Sequence, residues 1–91
     1  VERIAAIKII GIDQFGLVNK ITEIISNQIN VNIKSISFDT DDGIFEGKIK
    51  VMVLDTEHLE QLTRKFEEVE GVKRVLRWDE EESEEFNPQE D

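Results

Sequence analysis

The 91-residue chain contains no cysteine, no tyrosine, and one residue each of histidine, tryptophan, methionine and proline. Without cysteine there is no disulfide framework and no thiolate-ligated zinc or iron–sulfur site. With no cysteine there is no Cys–His pair, and with a single histidine, His58, a histidine-based metal site has no second ligand of that kind. No run of 18 apolar residues occurs, so no membrane span is expected, and neither a signal peptide nor a transit peptide is apparent. Walker and GxGxxG loops are also missing. These absences leave no catalytic site, cofactor site or metal site to be read from the chain, and they fit a cytoplasmic protein. A first residue of Val fits a processed form or a piece of a longer protein.

The charge is unevenly distributed. The net charge is −10, but residues 79–91 hold eight acids and no Lys or Arg, whereas residues 1–78 hold 13 acids against 11 bases. The expectation is a nearly neutral folded domain over 1–78 followed by an acidic disordered tail over 79–91.

Within 1–78 the apolar period changes repeatedly. Residues 3–12 alternate as a strand, with Ala5, Ile7, Ile9 and Gly11 on one face and Ala6, Lys8, Ile10 and Ile12 on the other. Ile on both faces marks a central strand or one whose second face meets a partner. From Gly16 the period becomes 3.6: Leu17, Val18, Ile21, Ile24, Ile25 and Ile29 form a helical stripe interrupted by Gln28, with Asp13 as the expected N-terminal cap and Asn30 near the end. Residues 31–39 read as a second strand whose apolar phase slips between Val31/Ile33 and Ile36/Phe38, the mark of either a bulge or a strand whose second face is also partly buried. Thr40-Asp41-Asp42-Gly43 is a hairpin turn. A calcium loop starting at Asp39 would need Gly and Glu where Ile44 and Lys50 stand. Residues 44–54 then alternate cleanly, with Phe45, Gly47, Ile49, Val51 and Val53 opposed to Glu46, Lys48, Lys50, Met52 and Leu54. Asp55 or Thr56 caps a second helix carrying Leu59, Leu62, Phe66 and Val69, Gly71 stops it, and residues 72–78 form a last strand. His58 falls in the first turn of that helix, as a surface residue.

The order βαββαβ predicts an α+β, ferredoxin-like sandwich: a four-stranded antiparallel sheet with two helices on one face. The second sheet face carries Ile10, Ile12, Met52 and Leu54, too apolar for water, and is expected to dock on a second copy or on other domains. RNA-recognition domains share this plan but stack bases on central-strand aromatics, where this chain has Ile, Val, Lys and Met, with Phe45 alone at the start of the third strand. Lys8, Lys48 and Lys50 line the same face.

The stretch Asp13-Gln14-Phe15-Gly16-Leu17 between strand and helix, with Ile29-Asn30-Val31 entering the second strand, resembles the ACT domain family over residues 4 to 78. Within it, Ile12–Val18, Ile29-Asn30-Val31-Asn32-Ile33 and the ending Leu62…Phe66…Val69-x-Gly71-Val72-x-x-Val75-x-Arg77 are most similar to the C-terminal ACT domain of RelA/SpoT-type bifunctional enzymes. Those GTP pyrophosphokinases and hydrolases make and degrade guanosine tetra- and pentaphosphate, (p)ppGpp, in the stringent response. Gln14 departs from the family's usual Arg, and the acidic extension is outside its pattern. The resemblance implies a non-catalytic regulatory domain that acts through domain contacts and an amino-acid effector. It also implies homodimerisation and a ligand site around Asp13, Gln14, Phe15, Gly16 and Leu17, with Asn30, Val31 and Asn32 at the neighbouring loop or across a dimer. Two alternatives stand beside it: a module docking on ribosomal RNA or a partner protein, and an ACT domain of an amino-acid-metabolic enzyme.

Overall fold

Alternation in residues 3–12 produces a ten-residue strand, β1 (Arg3–Ile12), in the computed structural model, which describes residues 3–29 and 31–78. A helix, α1 (Leu17–Glu23), follows and continues as a π-helical segment over Ile24–Ile29. Strands β2 (Asn32–Asp41) and β3 (Ile44–Val53) form a hairpin, and α2 (Thr56–Glu67) leads into β4 (Val72–Arg77). The sheet order is β2-β3-β1-β4, with every neighbouring pair antiparallel. This is the ferredoxin-like sandwich that the alternating periods predict. The segment 79–91, expected as a disordered tail, lies outside the described residues, as does Asn30.

The core is one-sided. Ile7 and Ile9 of β1, together with Phe45, Ile49, Val51 and Val53 of β3, face Leu17, Ile21, Ile24 and Ile25 of the first helix and Leu59, Leu62 and Phe66 of the second. Among the described residues no polar or charged side chain is buried, so the core is held by apolar burial alone. Gly47 sits mid-strand because the Phe38 ring occupies the space a side chain would take, and that ring stacks on Phe45 with centroids 5.5 Å apart.

Local signals account for most element ends. Asp42 and Gly43 both take positive φ (56° and 82°), the conformation a two-residue hairpin turn needs. The slip anticipated in β2 is a register shift between Ile33 and Ser35. Asp55 caps α2, its Oδ1 accepting from the His58 N–H at 2.9 Å.

Three readings need correction. Asp13 does not cap α1: Gly16 holds the N-cap position at φ 84°, with no side-chain cap bond. His58 is half-buried rather than a plain surface residue, its Nδ1 accepting the Leu54 N–H at 3.2 Å, so cap and ring together close the β3–α2 turn. The first helix does not stay α-helical to its end. From Ile24 it continues as a π-helical turn through Ile29, in which the N–H groups reach back five residues rather than four.

Removing the Phe66 ring should cost about 3–5 kcal/mol, and removing the Asp55 cap about 1 kcal/mol. Urea denaturation of Phe66→Ala and Asp55→Ala should therefore show a large and a small drop in midpoint.

Candidate functional site

The β1–α1 junction is clamped from both sides. Beyond Ile10 the pairing of β1 with β4 shifts register, and the Ile12 N–H donates to the Gly71 carbonyl at 2.9 Å. The Asp13 N–H donates to the Gly43 carbonyl of the hairpin turn at 2.9 Å. Gln14 Nε2 donates to the Glu70 carbonyl at 3.3 Å, and its amide lies against Gly71. Gln14 thus binds the junction to the α2–β4 turn instead of presenting a charge to a ligand. Gly11 permits the approach: a Cβ there would stand 2.4 Å from the Gly71 carbonyl oxygen.

Between these clamps the loop projects. Phe15 is wholly exposed, and Val18 and Ile12 are 41% and 45% exposed beside it in the chain. The Leu17 N–H is taken by the Gln14 carbonyl at 3.2 Å, and Lys20 donates back to Gly16 at 3.0 Å. Among the described residues the N–H groups of Gln14, Phe15 and Gly16 have no such partner. A helix start with free donors suits an anionic group. Leu17 itself is buried and belongs to the core.

The other half of the expected ligand set is not next to this loop. Asn32 pairs with Met52, which pairs with Ile4, at the opposite end of the sheet from Ile12. Eight residues of strand separate those rows, about 27 Å at 3.4 Å per residue. Val31 is half-buried against the core, and Asn32 is exposed. Within one copy of the chain Asp13–Leu17 and Val31–Asn32 thus lie at opposite ends of the sheet, too far apart to share one small ligand.

The open sheet face is mixed. Ile10 and Met52 are half-buried, whereas Ile12 and Leu54 are exposed, and Leu54 lies one residue beyond β3. Ile4 and Ile44 extend the apolar area. At the hairpin end a shallow depression of about 400 Å³ is lined by Ile10, Asp39, Asp41, Asp42, Ile44 and Glu46. Among the described residues no three acidic or histidine side chains converge to hold a metal ion there. Sequence reasoning missed the feature at the other end of the face. Trp78 lies there with Lys48 Nζ 4.9 Å and Lys50 Nζ 5.7 Å from its ring centroid. Only the strand register, which sets Trp78 against Ala6, reveals it.

Fold and junction together define a small ferredoxin-like module whose chemistry is recognition at loop and sheet surfaces. A family model described as ACT domain matches residues 2–77, and the chain belongs to the ACT domain family, a family of regulatory rather than catalytic domains. Its fold matches the ACT domain from the GTP pyrophosphokinase of Chlorobium tepidum at 36% identity and a TM-score of 0.79, covering 86% of this chain and 100% of that one. The small subunit of acetolactate synthase from Thermotoga maritima matches at 20% identity and a TM-score of 0.72, over 85% of this chain and 48% of that one. An ACT domain protein from Streptococcus pneumoniae matches at 24% identity and a TM-score of 0.64, over 81% and 88%. These last two likenesses are of fold alone. No curated protein matches the chain. Among the described residues no helix is long and apolar enough to cross a membrane.

Gly11→Ala should destabilise the domain by at least about 1–3 kcal/mol, because a methyl group there meets backbone rather than a movable side chain. Denaturant unfolding checks the loss, and faster amide exchange at Ile12 would locate it at the β1–β4 clamp.

Proposed function

We propose that the chain is the regulatory ACT domain of a RelA/SpoT-type GTP pyrophosphokinase and (p)ppGpp hydrolase. The observation that carries this reading is the 36% identity to the ACT domain of the Chlorobium tepidum GTP pyrophosphokinase, which extends over 86% of the chain. In this reading the domain performs no chemistry. It biases remote catalytic domains by docking more favourably in one arrangement of the parent chain than in another, so its effect is a coupling free energy between sites. The projecting Phe15, with Ile12 and Val18, supplies the apolar docking surface. The proposed effector is an amino acid. Its carboxylate is received by the N–H groups of Gln14, Phe15 and Gly16, and its ammonium group by Asn30 and Asn32 of a second copy, with branched-chain side chains favoured by the exposed Ile12 and Val18.

Titrating the protein with millimolar Val, Ile, Leu, Ser and Thr should shift NMR signals of residues 13–18 and 31–32 with a branched-chain preference. The response should be lost in Gly16→Val, since a β-branched residue resists the φ of 84° found there. Unchanged spectra would remove the amino-acid part of the reading. Phe15→Ala should leave the unfolding midpoint within about 0.5 kcal/mol of the parent while weakening self-association or control of the catalytic domains.

A second reading, docking on ribosomal RNA, is favoured by Trp78 beside Lys48 and Lys50, since an aromatic ring flanked by cations is a nucleic-acid contact. It predicts salt-sensitive RNA binding that disappears when Lys8, Lys48 and Lys50 are replaced by Glu.

A further inference from the structure

The open sheet face changes sign along its strands. At the hairpin end Asp41 pairs with Ile44 and Asp39 with Glu46, so three carboxylates occupy two adjoining rows. The same rows carry Ile12, opposite Ile44, and Ile10, opposite Glu46. In the next row away from the turn, Ser37 pairs with Lys48 and Lys48 with Lys8. Beyond it stand Ala6 and Trp78, joined by the Trp78 N–H donating to the Ala6 carbonyl at 2.8 Å. The two signs meet at the boundary, where Lys8 Nζ lies 3.4 Å from Glu46 Oε2. The acidic rows also hold the depression of about 400 Å³, lined by Ile10 and Ile44 together with carboxylates.

We propose that this face is a self-complementary docking surface for a second copy of the chain, stacked sheet on sheet with its strands reversed. Packed sheets keep their strands within about 30° of one another, which leaves two ways to stack identical faces about a two-fold axis. With strands running the same way, each row lies over itself and carboxylates oppose carboxylates. With strands reversed about an axis between the Glu46 and Lys48 rows, Glu46 lies over Lys48 of the second copy, and the contact occurs twice. The depression then receives that lysine, its stem against Ile10 and Ile44 and its ammonium group among the carboxylates. The row of Ile12 and Ile44 comes over the row of Ala6 and Trp78, which adds apolar burial for side chains that are 45% and 52% exposed. Four strands about 4.8 Å apart and five rows about 6.8 Å apart make a face of roughly 650 Å² per copy, within the lower range of specific interfaces. A polyanion would meet Asp39, Asp41 and Glu46 as well as the lysines, so a face of both signs suits a partner of both signs. The inference stands on this face and is independent of the parent enzyme and of any amino-acid effector.

Charge exchange on the full chain, read by sedimentation equilibrium, tests it. The chain should dimerise, and added salt should weaken the dimer. Glu46→Lys and Lys48→Glu should each weaken self-association at least about tenfold, because both symmetric contacts turn from attraction to repulsion. An equimolar mixture of the two variants should associate again to within about threefold of the parent, since every facing pair then has opposite signs. A second measurement needs no charge reversal. The chain has no cysteine, so Asp42→Cys gives a single nitroxide site at the hairpin turn. Mixed with isotope-labelled parent chain, the labelled copy should reduce the amide signals of Ser35 and Met52 and leave those of Lys20 and Arg64 on the helices intact. Four results would overturn the proposal: a chain that stays monomeric at millimolar concentration, a dimer indifferent to both charge variants, a mixture of folded variants that stays apart, or signal loss at Ile44 in place of Met52. RNA bound by a monomeric chain and released by Lys48→Glu would give the face to nucleic acid instead.

Discussion

Everything in this domain depends on a sheet that is dry on one face only. Ile7, Ile9, Phe45, Ile49 and Val51 are sealed beneath two helices, and no polar side chain among the described residues shares that space. A core this small gains stability only in proportion to the apolar area it removes from water, about 25 cal/mol per Å², so it has little to spare for irregularity on its inner side. Irregularity nevertheless occurs on both sides: at the β2 slip, the β1–β4 shift at Gly11 and the glycine-started helix, and in the π-helical turn that carries the buried Ile24 and Ile25. The wet face carries the compromise. Lysines alternate with Ile and Met there, which keeps the sheet in solution without making the face indifferent to a partner.

The same architecture governs the junction. Helix α1 leaves from the end of the sheet where β1, the hairpin turn and the α2–β4 turn meet, and hydrogen bonds from Ile12, Asp13 and Gln14 tie all three together. The loop is thereby rigid at its base and bare at its tip, where Phe15 has no cover at all. Because β1 and β2 run parallel two strands apart, the helix between them returns the chain to the opposite end of the sheet. The strand–helix loop and the Val31–Asn32 step are forced apart by topology. A ligand that needs both must bridge two molecules, which couples ligand affinity to association.

Sequence patterns disclosed what short-range periodicity encodes. The twofold alternation of 3–12 and 44–54, the 3.6-residue stripe through Leu17 and Ile21, the Asp-Gly turn and the Asp55 cap each lie within a few residues, and each appears in the structure where the pattern puts it. What escaped depends on residues distant in the chain. That Gly11 is needed for close approach is visible only once Gly71 is opposite it. Gln14 reads as a lost charge until Glu70 is found beside it. His58 looks like a surface histidine because its partner is a backbone N–H, which leaves no trace in composition. Trp78 ends a strand in the sequence, and only the register carries it across to Lys48.

That last contact changes how the charge of the chain is understood. A domain close to neutral over 1–78, joined to a segment with eight acids, invites a description as two independent parts. Within the described residues, Lys8, Lys48 and Lys50 stand in adjoining rows of the open face, the last two beside Trp78. Like charges in adjoining rows of a sheet repel, and an anionic group near them offsets that cost. Any anionic group that docks on this face therefore meets the attraction of Lys8, Lys48 and Lys50 together with the Trp78 ring.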